Sequence, residues 1–204
     1  MTGQLAEPAD GTPLTDEEGQ GLRLPVLTRD ELNRAEAENI SRAMSWLFLS
    51  RRRLQPELVT REAWLKRLHR RMYDQVWSWA GHYRTTDRNL GVPYWQVRID
   101  MRDLEADASA WLSDTSAARY GNDECAIRFG YRLVAIHPFP NGNGGWSRLA
   151  SDALIVALGG SRFTWGGTSL AEPGTVRRDY IAALQAADTD GDFQPLLTFS
   201  RRSD

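Results

Sequence analysis

Apolar positions recur with a helical period over most of this chain. Thr28 and Glu31 form a T-x-x-E capping box, which predicts a helix over residues 29–49, with Arg51, Arg52 and Arg53 meeting the negative end of its dipole. Thr60 is expected to cap a second helix. There Trp64, Leu68, Met72 and Val76 recur every four residues as a buried stripe, Trp77 and Trp79 close it, and Gly81 ends it. From residue 83 to 99 the period disappears. Asn89, Gly91 and Pro93 punctuate this stretch, while Val92, Tyr94, Val97 and Ile99 suit strands, so a β-hairpin or extended flap is expected. Helical signals return over 100–112, from 122 through Ile127, Tyr131, Val134 and Ala135, and over 146–158. Pro173 opens a further helix carrying Val176, Tyr180, Ile181 and Leu184, and a short one covers 193–199. The expected fold is a mainly α bundle of six or seven helices with one hairpin flap. It forms a single domain over 28–204, behind an irregular arm at 1–27 rich in glycine and proline.

Composition narrows the class without naming a function. The chain has 204 residues, is 41% hydrophobic and 25% charged, and carries a formal charge of -2. That is an ordinary globular balance, and it excludes collagen, disorder and a disulfide scaffold. Cys125 is the single cysteine, so no intrachain bridge and no cysteine zinc site can form; it reads as a packed thiol. A reducing, cytoplasmic setting fits. The longest apolar run, residues 153–158, is far short of the ~20 residues that span a bilayer, and the first residues lack the pattern of a signal peptide. A sequence pI near 6.0 argues against a protein that coats nucleic acid. Lys66 is the one lysine against 24 arginines, a bias that names no chemistry. His69 and His82 have no partner at metal-ligand spacing and are expected on the surface or the flap.

The chemistry is concentrated between residues 137 and 148, where the chain reads His-Pro-Phe-Pro-Asn-Gly-Asn-Gly-Gly-Trp-Ser-Arg. Pro138 stops the preceding helix and leaves His137 at its C-terminal end. Gly142, Gly144 and Gly145 can fold the backbone into a concave nest of N–H groups. A helix begins immediately afterwards and adds free N–H groups and the positive end of its dipole. Nest and helix start together form an anion site, with phosphate the expected anion. Arg148, one turn in, can reach back to a second phosphate as a planar fork.

His137-Pro-Phe-Pro-Asn-Gly-Asn-Gly resembles the Fic motif, H-P-F-x-D/E-G-N-G-R-x-x-R. The resemblance extends to Leu68-His-Arg-Arg-Met72, Trp79-Ala-Gly-His-Tyr-Arg84, Tyr180-Ile-Ala-Ala-Leu184 and Gly191-Asp192, and covers roughly residues 28–200. Within that family the chain is most similar to the "mobile mystery protein B" group, which looks like a toxin-like module of bacterial mobile elements. The resemblance implies a helical Fic fold and transfer of AMP, or a related phosphate-containing group, from Mg-ATP onto a hydroxyl of a target protein. By position, His137 matches the general base, Phe139 the aromatic that anchors the loop, and Gly142, Asn143 and Gly144 the phosphate-holding nest. Arg148 matches the second arginine, on the terminal phosphate. The hairpin flap, through Val92, Tyr94 and Val97, is expected to dock the target chain by strand addition.

Two positions depart from the motif. Asn141 stands where an acidic residue binds magnesium, and an amide oxygen attracts Mg²⁺ less than a carboxylate does. Gly145 replaces the first arginine, removing a charged contact to the leaving pyrophosphate worth ~1.5–3 kcal/mol. Many family members also carry an inhibitory S/T-x-x-x-E-G/N helix. Here Glu38 and Asn39 match its end, Arg34 stands at its Ser/Thr position, and a solvated acidic helix face is the competing explanation. An antitoxin-like partner follows from the same resemblance. Two readings compete: a nucleotidyltransferase, favoured by His137 and Arg148, and a catalytically inactive Fic module acting by binding, favoured by Asn141 and Gly145.

Overall fold

The computed structural model describes residues 16–25, 28–49, 54–113, 120–167 and 174–202. Among the described residues nine α-helices occur and no strand: α1 (Asp16–Gly19), α2 (Arg29–Phe48), α3 (Pro56–Val59), α4 (Glu62–Tyr73), α5 (Val97–Ser113), α6 (Asn122–Ile136), α7 (Asn143–Ala157), α8 (Thr175–Asp190) and α9 (Gln194–Arg201). The capping box of α2 is formed, with the Glu31 N–H donating to Thr28 Oγ1 at 3.2 Å and the Thr28 N–H to the Glu31 carboxylate at 3.0 Å. Leu32, Asn39, Ala43 and Leu47 line the buried side of α2, which packs on α4. Arg51–Arg53 and Pro173 lie outside the described residues.

The stripe Trp64, Leu68, Met72 and Val76 is buried as its spacing predicts. Its ends differ from expectation. Thr60 turns back onto its own short helix, its hydroxyl donating to the Pro56 carbonyl at 3.1 Å. The free start of α4 is met instead by Glu105 of α5, which accepts from the Glu62 N–H at 2.8 Å. At the other end, Asn39 of α2 bonds both the Arg71 carbonyl and the Gln75 N–H at 3.0 Å. The ladder therefore stops at Tyr73, and residues 74–81 run as turns. The arm meets these turns in a two-residue antiparallel bridge: the Arg23 N–H donates to Val76 O and the Ser78 N–H to Gly21 O, each at 2.8 Å.

The hairpin flap is absent. Residues 83–96 form bends and turns, and α5 starts at Val97, three residues before the expected helix. The physical reason is periodicity. Val97 and Ile99 look like alternation, but Val97, Met101, Leu104 and Ala108 repeat at i, i+4, i+7 and i+11 and are all buried, while Ile99 is exposed. The turn at Pro93 leads directly into α5, with Gln96 N–H donating to Pro93 O at 2.9 Å and Asp100 N–H to Gln96 O at 3.0 Å. Val97 is thus a core residue, not a strand residue that docks a target. The backbone before it finds its partners on the end of α6: the Arg84 N–H donates to Pro138 O at 3.0 Å and the Val92 N–H to Ile136 O at 3.4 Å.

At the centre, α6 and α7 pack closely enough that a Cβ on Gly130 would lie 1.9 Å from Ser151 Oγ. Trp146, Leu149, Ala150, Ala153, Leu154 and Ile155 bury the inner face of α7. At ~1.5–3 kcal/mol for each large apolar side chain fully buried, this helix is among the firmest supports in the molecule. The turn joining α6 to α7 holds the conspicuous motif.

Candidate active site

His137 ends α6 in the left-handed conformation (φ 54°, ψ 58°), which a residue with a Cβ adopts at about 1–2 kcal/mol. Its N–H caps the helix onto Leu133 O at 3.2 Å. Burial holds its imidazole down at about 4, with the Arg84 and Arg88 cations adding to that effect and a backbone hydrogen bond at Val134 opposing it. The ring is therefore neutral at physiological pH and able to accept a proton.

The loop after it is held from inside. Phe139 is fully buried, stacked on the His69 ring at 3.7 Å between centroids and edge-on to Trp146 at 4.8 Å. The Asn143 side chain does not face outward to a ligand. It clips the loop, accepting from the Phe139 N–H and donating to the Phe139 carbonyl, both at 2.9 Å. Asn143→Ala would leave both groups unpaired in the interior. The expected loss is at least ~1–3 kcal/mol of stability, read as a lower denaturant midpoint at unchanged slope; an unshifted midpoint contradicts the clip.

Gly142 takes φ 79°, and any Cβ there would strike the Tyr73 ring at 2.5 Å. This turn points the chain into α7, where the Trp146 N–H already bonds Gly142 O at 3.0 Å. The N–H groups of Asn143, Gly144 and Gly145 precede the first closed turn of α7, so no carbonyl of that helix reaches them, and they form the anion-attracting end. Arg148 lies over the same turn: its guanidinium sits 3.6 Å from where a Gly144 Cβ would be and 5.3 Å from the centre of the Tyr180 ring. Among the described residues no carboxylate pairs with it. The expected nest is therefore a helix start rather than a run of left-handed glycines: Gly142 alone of the three takes a positive φ, Gly144 and Gly145 lie in the first turn of α7, and Arg148 lies over that turn, one loop away from His137 and Phe139.

The remaining expected positions fall elsewhere or act differently. Asn141 is half-buried, and its side-chain oxygen is engaged by the Gly142 N–H at 2.6 Å. A resident magnesium does not fit this donor set. One neutral oxygen is already bonded, and no cluster of three His, Cys, Asp or Glu occurs among the described residues. Glu38 is exposed, and Asn39 is the buried link between α2 and α4 described above. Tyr94 is exposed beside Trp95, and Val92 is half-buried next to the end of α6.

Three residues were not foreseen as part of the site. His69, expected at the surface, is completely buried: its Nδ1 accepts from the Gly81 N–H at 3.0 Å, so its Nε2 carries the proton and donates to Asn141 O at 3.1 Å. Burial holds it at about 3. Its place one turn after Leu65 and three residues before Met72 puts it on the inward face of α4, a signal present in the period. Arg84, also buried, bonds carbonyls around His137, and Tyr73 underlies the glycine turn.

The two imidazoles make stability depend on acid. Unfolded, each titrates near 6.5; folded, near 3 and 4. Between those values the unfolded chain binds protons that the folded chain refuses. Stability is therefore full above about pH 6.5 and declines as pH falls toward 4 and then 3. Denaturant melts between pH ~7 and ~4.5 should lose a few kcal/mol, before most carboxylates protonate. A flat profile over that window contradicts two buried neutral histidines.

The Fic/DOC family matches residues 59–155 of this chain. Protein adenylyltransferase fic-1 of Caenorhabditis briggsae is 31% identical over 120 residues, which are 59% of this chain and 22% of that protein. The chain therefore spans about a fifth of that relative's length. Among solved structures, Fic-1 (residues 134–508, E274G) of C. elegans superposes with a TM-score of 0.64 at 23% identity, covering 90% of this chain and 51% of that one. BepC of Bartonella tribocorum, solved with AMPPNP, superposes with a TM-score of 0.62 at 17% identity, covering 92% and 97%. The helical frame, the turn from His137 to Arg148 and these matches agree: residues 59–155 match the Fic/DOC family, and the fold is that of solved Fic domains.

Proposed function

We propose that this chain is a Fic-type nucleotidyltransferase that moves AMP from ATP onto a hydroxyl of a target protein. One observation carries the reading: a neutral, buried imidazole and a helix start whose first N–H groups have no side-chain cap occupy the two ends of a single loop, which a buried aromatic and the Asn143 clip hold in place. In this scheme the nest N–H groups and Arg148 hold the phosphates. His137 takes the proton of the target hydroxyl, whose oxygen bonds to the α-phosphorus. The bond from that phosphorus to the bridging oxygen breaks, and pyrophosphate leaves. Charge develops on phosphate oxygens that fixed N–H dipoles already face. Any magnesium would arrive with the nucleotide, since this chain's own donors do not fit a resident ion. The relative named as an adenylyltransferase and the AMPPNP in the BepC structure support nucleotide use.

The exposed Tyr94 and Trp95, next to the segment that touches His137, give a target an aromatic wall to lie against in place of the missing hairpin. An antitoxin-like partner belongs to the same reading: among the described residues no carboxylate pairs with Arg148, and such a partner could supply one. The second reading, a binding module without turnover, is favoured by Gly145 and by the engaged Asn141 oxygen. Incubation of candidate targets with ATP labelled at the α- or the γ-phosphate separates the two. Label retained from the α-position alone supports AMP transfer; label from the γ-position indicates phosphoryl transfer. Nucleotide binding without label on any target favours the binding module.

A further inference from the structure

The side chain of Arg84 is a charged group enclosed by the fold, and the residue is 3% exposed. Its donors go to main-chain carbonyls on two segments. Nε donates to His137 O at 2.7 Å, Nη2 to Val92 O and to Ile136 O at 3.5 Å, and Nη1 to Thr86 O at 3.0 Å. The Asp87 carboxylate stands 3.9 Å away and is itself largely solvated. Ile136 and His137 are the last residues of α6, whose terminal carbonyls have no helical donor and carry the negative end of the dipole. A guanidinium is suited to this place: it presents five donors in one plane and never deprotonates.

The contact between the two segments is close. Gly91 takes φ +93°, and a Cβ there would lie 2.5 Å from the Cβ of His137 and 2.8 Å from Ile136 O. The chain from 86 to 92 thus lies directly against the imidazole-bearing residue, and Arg84 ties it there while fixing the carbonyls on either side of the left-handed turn. With its donors turned inward, Arg84 is no phosphate ligand, unlike Arg148.

We propose that Arg84 is a positioning residue whose planar fork orients His137 and holds the 86–92 segment beside it. The proposal rests on His137 acting as the base in the transfer reaction. The bonds described above go to carbonyls of Thr86, Val92, Ile136 and His137, away from the start of α7 and Arg148, so loss of Arg84 should move the chemical step and spare nucleotide capture. A misplacement of the base by about 1 Å lowers the rate on the order of a hundredfold.

The test uses the full chain with Arg84→Met and Arg84→Lys. The protein has three histidines, so ring Cε1–H carbon-proton spectra give three signals, and His137→Ala identifies the one in question. Both variants should shift or split the His137 signal while the His82 signal stays in place. Both should also lower kcat about a hundredfold with the KM for nucleotide unchanged. Lysine keeps the charge but not the fork, so it should not rescue. A wild-type His137 signal and kcat in either folded variant overturns the proposal, as does a KM that rises in step with the fall in kcat. If Arg84→Met does not fold, Arg84→Lys carries the test. If the wild-type chain transfers to no target, the proposed function falls, and the histidine spectra still decide the role of Arg84.

Discussion

His137→Ala is expected to lower transfer by about a hundred- to ten-thousandfold and to leave ATP binding unchanged. The separation follows from the fold. His137 closes α6 through its backbone N–H, whereas Arg148 and the N–H groups proposed to hold phosphate belong to α7, and the loop between them is locked by Phe139 and Asn143. The pH dependence should show the base directly. In the free protein the imidazole titrates near 4, so kcat/KM should fall only below that region on the acid side. A bound triphosphate places negative charge beside the ring and favours its protonated form, so the acid limb of kcat should lie at higher pH than that of kcat/KM. Loss of binding in His137→Ala equal to its loss of rate would show that the residue is structural.

Gly145→Arg is expected to raise the rate ten- to a hundredfold. An added charge-assisted contact to the leaving pyrophosphate is worth ~1.5–3 kcal/mol, and each ~1.4 kcal/mol is tenfold. The site accepts the side chain. A Cβ at Gly145 would meet Tyr73 Oη at 3.5 Å and Met72 Cε at 4.0 Å, both ordinary contacts. Stability should hardly change without nucleotide. Arginine is a better helix former than glycine by up to ~1 kcal/mol, and a cation in the first turn of a helix opposes the dipole by ~0.3–1 kcal/mol. With ATP present, the variant should melt at a higher temperature than the parent, because it binds the phosphates more tightly. A variant no faster and no better stabilised by ATP would mean that the nucleotide is not held against the first turn of α7.

Much of this arrangement is written locally in the sequence. The capping box of α2, the α4 stripe and the proline that stops α6 each depend on a few neighbouring residues, and each appears where the spacing places it. The glycines after it differ from expectation: α7 starts at Asn143, three residues before the helix expected from 146, so Gly144 and Gly145 lie in its first turn and Gly142 is the one of the three with a positive φ. What was not legible depends on contacts between distant segments. Asn39 ends α4 from 32 residues away in sequence, and Glu105 caps its start from 43 residues away. Val97 and Ile99 suggested alternation because two apolar residues fit either period, and Met101, Leu104 and Ala108 decide for the helix. Arg84 and His69 are polar residues drawn into the interior by carbonyls and an N–H that come together only after folding. Asn143 was expected through its backbone in the nest, and its side chain proves to be the clip on Phe139.

The most direct measurement is intact-mass spectrometry of one purified target that takes up α-label. The target is incubated with ATP and, in parallel, the wild-type chain, Gly145→Arg and His137→Ala. The account predicts a mass gain of one AMP, reached soonest with Gly145→Arg and at least about a hundredfold more slowly with His137→Ala. No AMP adduct from Gly145→Arg at millimolar ATP, or an equal adduct from His137→Ala, would contradict it.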